Sequence, residues 1–188
     1  MRPTSRFLLA LLGTATLALP ASAHPLHGGT GLEAGLLHPL MGADHLLAAL
    51  AIGFWASRIE GAKAWALPGV FLLGIAGGAV AGMQGVLPGW MEAGIAASVL
   101  LLGLAAVLLP RLPMAPMLAA VAAFGALHGL AHGNELPEAM SPLAYGLGFL
   151  ASTAAVHAVA LLAARRLRWM ALSGGAAVAA AGLVLLVG

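Results

Sequence analysis

Six apolar runs, each close to the length that crosses a bilayer, alternate along this chain with short breaks rich in Pro, Gly or charge. The runs cover roughly 36–57, 65–86, 90–109, 112–132, 142–164 and 169–187, and a helix needs about 20 apolar residues to span. The breaks read "SRIEGAK", "GVLPG", "PRLP", "NELPEAMSP" and "RRLR", all turn-forming or charged. Period-two alternation is absent from the runs, and they are twice the length of a barrel strand, so strands are excluded. The pattern predicts an all-α integral membrane protein of six transmembrane helices with no soluble domain.

The N-terminus has a different shape. Arg2 and Arg6 precede a short apolar core, "FLLALLGTATLAL", and "ASA" at 21–23 fits the small-residue cleavage pattern. About 13 apolar residues are too few to span, so residues 1–23 are expected to be a cleaved signal peptide. The mature chain, 24–188, would begin His24-Pro25-Leu26-His27. After a glycine-rich lead, "HGGTGLEAG", the first apolar run begins.

Composition sharpens this picture. Of 188 residues 62% are hydrophobic and 7% charged, against about 25% charged in a soluble domain. The formal charge of +2 comes from few residues and forms no basic patch that would suggest nucleic acid. Cysteine is absent, which excludes disulfides, thiolate metal sites, iron–sulfur clusters and cysteine nucleophiles. The cations of the mature chain, Arg58, Lys63, Arg111, Arg165, Arg166 and Arg168, all fall in the first, third and fifth loops. By the positive-inside rule those loops are cytoplasmic, which places both mature termini on the periplasmic side.

Two features then stand out within the spans. Gly74, Gly78 and Gly82 recur every four residues in the second run, as do Gly125, Gly129 and Gly133 in the fourth. Such stripes let helix backbones approach closely. The other feature is polar. "HPLMGADHLLAALAIGFWASR" (38–58) carries His38, Asp44 and His45 in an otherwise lipid-compatible run, and an intramembrane carboxylate costs about 3 kcal/mol or more. His38 and His45 are seven residues apart, two helical turns and about 10 Å. Pro39 and Gly42 are suited to a distorted turn that would draw His38, Asp44 and His45 together. In "GALHGLAHGNELPE", His128 and His132 are four apart, neighbours on one helix face, with Glu135 continuing that face.

Applied to the expected topology, both groups lie in the outer half of the bundle. A divalent cation held between them would neutralise the carboxylates and use the imidazole lone pairs. Nitrogen and oxygen ligands without thiolate suit Ni²⁺, Co²⁺ or Zn²⁺ and disfavour Ca²⁺ or Mg²⁺. The alternative is a set of structural hydrogen-bonding histidines. His157, about 15 residues into the fifth run, fits either an inner relay or a helix–helix hydrogen bond. His24 and His27 are weaker candidates for capture outside the membrane. The methionines are dispersed and read as apolar filler. "GLLHPL" (35–40) and "GALHGL" (125–130) align at an offset of 90, which hints at a 3+3 inverted repeat.

The first motif, with His38, Pro39, Gly42, Asp44 and His45, resembles the HPxxGxDH signature of the HupE/UreJ family of nickel permeases, and "HGLAHGNELP" (128–137) resembles the family's second His-rich motif. The signal peptide and six spans match that family across nearly the whole chain. The resemblance implies uptake of Ni²⁺, or Co²⁺ in some relatives, across the bacterial inner membrane to supply hydrogenase or urease. Carried over by position, it makes His38, Asp44, His45, His128, His132 and Glu135 the essential residues. Ala49 stands where relatives often carry Met. Five residues separate His38 from Asp44, whereas the sister nickel–cobalt transporters use four.

No P-loop GxxxxGK[ST] occurs, so the chain is expected to be a secondary permease or facilitator and not an enzyme. A divalent cation moving inward gains about 4–5 kcal/mol per 100 mV of membrane potential. No prosthetic group is expected, and Ni²⁺ or Co²⁺ is substrate. The expected partners are that metal ion, the lipid bilayer, and either a metallochaperone or a second copy of the chain. Two other classes compete. Paired transmembrane histidines also ligate haem in electron-transfer proteins. A membrane metallohydrolase could hold Zn²⁺ with His, Asp and Glu, although HExxH is absent.

Overall fold

A computed structural model describes residues 31–108, 112–136 and 140–188. Every regular element within it is helical: α1 (Gly31–Met41), α2 (Ala43–Ala56), a 3₁₀ turn (Gly61–Trp65), α3 (Ala66–Met83), α4 (Met91–Leu108), α5 (Met114–Glu135), α6 (Pro142–Arg166) and α7 (Trp169–Val187). The expected signal peptide, His24, His27 and Arg111 lie outside the described residues. Five helices are long and apolar enough to cross a membrane, and the number is six if α1 and α2, which meet at a 77° bend, count as one broken span. The chain is a multi-pass helical membrane protein.

The broken span differs from the continuous helix that residues 36–57 suggest. Residues 31–35 of the glycine-rich lead are already helical, and the helix ends at Met41. Gly42 then adopts an extended ψ of 111° and serves as N-cap of α2. Pro39 stands in the last turn of α1, where its missing N–H weakens the helical ladder. The break creates two helix ends part-way along this segment. His38 sits in the carbonyl-rich last turn of α1, and Asp44 in the N–H-rich first turn of α2. Each end carries the partial charge that favours the group placed there, a cation at the first and a carboxylate at the second.

Three helix pairings dominate. α3 packs along α5, α1 and α2 along α6, and α4 along α7. Glycine decides the first. A Cβ on Gly78 would strike the carbonyl oxygen of Ala126, and one on Gly129 that of Ile75. Gly74 and Gly82 meet Ala122 and Leu130 in the same way, and Gly125 and Gly133 meet Phe71 and Ala79. The two stripes therefore interlock with the backbones nearly touching, both helices running in the same direction. α1 and α6 use the same device, with Gly35 against Tyr145 and Gly148 against Leu32. Exchanging the first span with the fourth, the second with the fifth and the third with the sixth maps these three pairings onto themselves.

The described cations gather at one end. Arg58 donates to the carbonyls of Ala106 and Val107 at the C-terminus of α4, at 2.9 and 3.0 Å. Arg165 donates to Ile59 and Gly61, the latter a turn residue with φ of +66°. A cleft of about 1180 Å³ opens there, lined by Arg58, Glu60, Leu108, Ala164, Arg165 and Arg168. His38 and Glu135 lie at the opposite end.

Neighbouring glycines give a test of this packing. Gly77 has open space beside it where Gly78 meets backbone. Gly78→Ala is expected to lower the thermal stability of the detergent-solubilised protein by at least about 1–3 kcal/mol, as overpacking does. Gly77→Ala is expected to leave stability unchanged or raise it by about 0.5–1 kcal/mol. Equal effects of the two changes would contradict the interlocked stripe.

Candidate metal centre

The interlocked glycines set the rotation of α5. With Gly125, Gly129 and Gly133 pressed on α3, the intervening His128 and His132 turn toward α2 and α6. His128 is fully buried and His132 nearly so. The bend at Gly42 brings His38 and His45 to meet them from two directions. His132 is the hinge of the arrangement, because both of its nitrogens are engaged. Its Nδ1 is 3.1 Å from His38 Nε2, and its Nε2 is 3.2 Å from His45 Nδ1. His45 Nε2 in turn reaches Thr153 Oγ1 at 3.1 Å.

The far end of this chain fixes its proton order. Thr153 has one hydroxyl proton, which it donates to the Phe149 carbonyl at 2.9 Å. It can therefore only accept from His45, so neutral His45 carries its proton on Nε2 and a lone pair on Nδ1. His132 must then donate from Nε2 to His45 Nδ1 and hold a lone pair on its own Nδ1, toward which His38 Nε2 donates. His128 obeys the same logic. Ser98 donates to the Ile95 carbonyl at 2.7 Å and so accepts from His128 Nε2 at 2.9 Å. This leaves the lone pair of His128 Nδ1 buried with no hydrogen-bond partner. An unpaired buried polar atom costs about 1–3 kcal/mol.

The chain ends at a carboxylate. Glu135 Oε2 lies 3.5 Å from His132 Nδ1 and 3.9 Å from His38 Nε2. A carboxylate oxygen and an imidazole nitrogen at that distance attract a proton or a cation between them, and the His38 Nε2–H is the donor at hand. His38, His132 and Glu135 can offer one ligand atom each, all within 4.8 Å of one another. Bond lengths of about 2.0–2.2 Å to a transition-metal ion match a small contraction of this trio. Access is from outside the bundle, since the side chain of Glu135 is 57% exposed and that of His38 31%.

An aromatic wall holds the rings. Phe149 packs on His45 and His132, each at 4.6 Å between centroids, and on His38 at 5.8 Å. Tyr145 packs on His38 at 5.7 Å.

The expected residues thus take different places. His38, His45, His132 and Glu135 form one connected group. His128 stands beside it, its ring 5.5 Å from that of His45. Asp44 is half-buried in the first turn of α2, within electrostatic reach of His38 and His128. No hydrogen bond joins its carboxylate to an imidazole among the described residues. His157 lies deeper on α6. Thr153, Ser98, Phe149 and Tyr145 were not singled out from the sequence. A polar residue in an apolar span is itself the signal that would have found Thr153 and Ser98.

Thr153→Val removes the acceptor that orients His45 at nearly constant volume. Loss of such an orienting partner is expected to weaken equilibrium Ni²⁺ or Co²⁺ binding to the purified protein by about 10–100-fold. Unchanged affinity with intact fold would show that Thr153 does not set the tautomer.

Comparison with known proteins places the chain in a family. A family model described as HupE / UreJ protein matches residues 9–188. The chain is 42% identical over 182 residues to Protein HupE of Rhizobium leguminosarum bv. viciae, covering 93% of this chain and 95% of that one. No solved structure matches it significantly. On the family match over nearly its full length, this chain belongs to the HupE/UreJ family.

Proposed function

We propose that this protein moves a divalent transition-metal cation, Ni²⁺ first and Co²⁺ second, inward across the inner membrane of a bacterium. The observation that carries the reading is the imidazole chain His38–His132–His45 with Glu135 at its exposed end. A carboxylate and a half-exposed imidazole meet the ion first. Buried imidazoles, whose lone pairs are already set on Nδ1, receive it next. Membership in the HupE/UreJ family supports the same class of substrate, and delivery to hydrogenase or urease is the corresponding physiological use.

The cluster sits at the end of the bundle opposite Arg58, Lys63 and Arg165. If those cations mark the cytoplasmic side, Glu135 and His38 face the periplasm and both termini of the mature chain lie there too. The helix pairings, which survive exchange of the first three spans with the last three, support an inverted 3+3 repeat with the site at the junction of its halves. Membrane potential and removal of the ion inside the cell, by a metallochaperone for instance, are a sufficient driving force.

Asp44 has a distinct part in this scheme. Its carboxyl group stands in the first turn of α2, where a helix N-terminus attracts negative charge. In metal-starved cells, ⁶³Ni²⁺ uptake by the wild type is expected to be blocked by excess Co²⁺ more strongly than by Mg²⁺. Asp44→Ala, present in the membrane at wild-type amount, is expected to reduce that uptake at least tenfold. Full uptake by this variant would remove Asp44 from the pathway. Absence of Ni²⁺ uptake by the wild type would contradict the transport reading and favour haem, which a visible absorption spectrum would reveal.

A further inference from the structure

The cleft of about 1180 Å³ at the basic end has no part in the metal centre. Helix ends form its walls: Arg58 and Glu60 follow α2, Leu108 ends α4, Arg165 lies in the last turn of α6 and Arg168 caps α7. Three guanidinium groups and one carboxylate thus line it. Among the described residues no carboxylate lies within ion-pair distance of the three, and the ion pairs of Glu135 are at the opposite end. Backbone holds two of them in place. Arg58 Nη1 donates to Ala106 and Val107, and Arg165 Nη2 to Ile59 and Gly61. A guanidinium carries more donors than these bonds use. Arg168 has no hydrogen bond among the described residues. Apolar side chains share the walls: Ile59, Leu112 and Leu108, the last 65% exposed. Trp65 and Trp169, both exposed, stand at this end of α3 and α7, as aromatic rings do at a membrane interface.

We propose that this cleft holds an anionic phospholipid, its phosphodiester among Arg58, Arg165 and Arg168 and the start of its acyl chains along Ile59, Leu108 and Leu112. Each part of the lining disfavours another occupant. Like charges gathered without a counter-ion attract an anion and repel a metal cation. The planar fork of a guanidinium matches phosphate oxygens. A soluble anion would leave the leucines in water. A zwitterionic headgroup brings its own cation and leaves the arginines unneutralised. Basic pockets between spans on the cytoplasmic side bind anionic headgroups on the same chemistry. The volume exceeds the roughly 300–1,000 Å³ of small-molecule pockets, so headgroup and glycerol fit together. Bound there, the lipid ties the turn after α2 to the ends of α4 and α6 and the start of α7. The inference stands on the cleft and does not rest on the transport reading.

The test is binding of dioleoylphosphatidylglycerol to the purified full chain in neutral detergent, read by native mass spectrometry and by melting temperature. The wild type is expected to retain this lipid and to melt higher with it, and to do neither with dioleoylphosphatidylcholine. Arg168→Gln is expected to weaken the affinity about fivefold, the contribution of one arginine at an anionic surface. Arg166→Gln removes an equal charge at a position that does not line the cleft. Its expected effect is less than about twofold, since an exposed charge outside the site is screened. Glu60→Gln removes the one acidic group of the walls and is expected to tighten binding, which keeps the test decisive should Arg168→Gln not be monodisperse. Equal losses in Arg166→Gln and Arg168→Gln, or no tightening in Glu60→Gln, would overturn the proposal in favour of diffuse charge at this end. Displacement of the lipid by an equal concentration of glycerol 3-phosphate or inorganic phosphate would overturn it in favour of a soluble anion. Equal retention of phosphatidylcholine would overturn it in favour of an apolar contact.

Discussion

The structure turns on one imidazole that uses both of its nitrogens. His132 joins His38 on α1 to His45 on α2, across the break in the first span, at 3.1 and 3.2 Å. In an apolar surrounding each such bond matters, because no water replaces it. The order of donors along the chain is dictated from its buried end, where the Thr153 proton is committed to a backbone carbonyl. Each Nδ1 lone pair inside the chain accepts from the next imidazole, His45 from His132 and His132 from His38. The protein therefore carries a row of preformed nitrogen ligands whose exposed end lacks a positive charge.

Two backbone devices make that row possible. Interlocked glycines of α3 and α5 remove the side-chain layer between these helices and fix which way His128 and His132 face. The bend at Gly42 gives the first span two interior termini and turns their dipoles to use. The C-terminal carbonyls of α1 attract positive charge near His38, and the N-terminal amides of α2 attract negative charge where Asp44 stands. Broken helices whose ends address an ion are a recurrent solution in transporters, since irregular backbone within a membrane is tolerated only where protein or a cavity surrounds it. The unpaired nitrogens of His128 and His157 represent the opposite choice, polar groups buried without partners.

Much of this was legible before any coordinates. Helical runs of about 20 apolar residues follow from the bilayer alone, and the glycine stripes marked two runs suited to close backbone approach. The spacing of His128 and His132 placed both on one face, because an intrahelical period is fixed. What the spacing could not supply is interhelical register. Nothing in "HPLMGADH" says that His132 would come between His38 and His45, leaving Asp44 to the side, since that depends on the crossing of α1, α2 and α5. The early start of α1 was hidden by "GLEAG", a glycine-rich stretch of low helix propensity that gains its structure from packing on α6. Thr153 and Ser98 were passed over because single hydroxyls in apolar helices commonly bond their own backbone, which both do while also holding a histidine.

The most direct test of the account is Ni²⁺ flux into proteoliposomes that contain only this protein, an internal fluorescent chelator and an inside-negative potential, with His132→Asn as the comparison. The account predicts saturable influx for the wild type and loss of at least nine-tenths of it in the variant, with the variant still folded and inserted. Wild-type flux in His132→Asn would contradict the imidazole chain as the route of the ion.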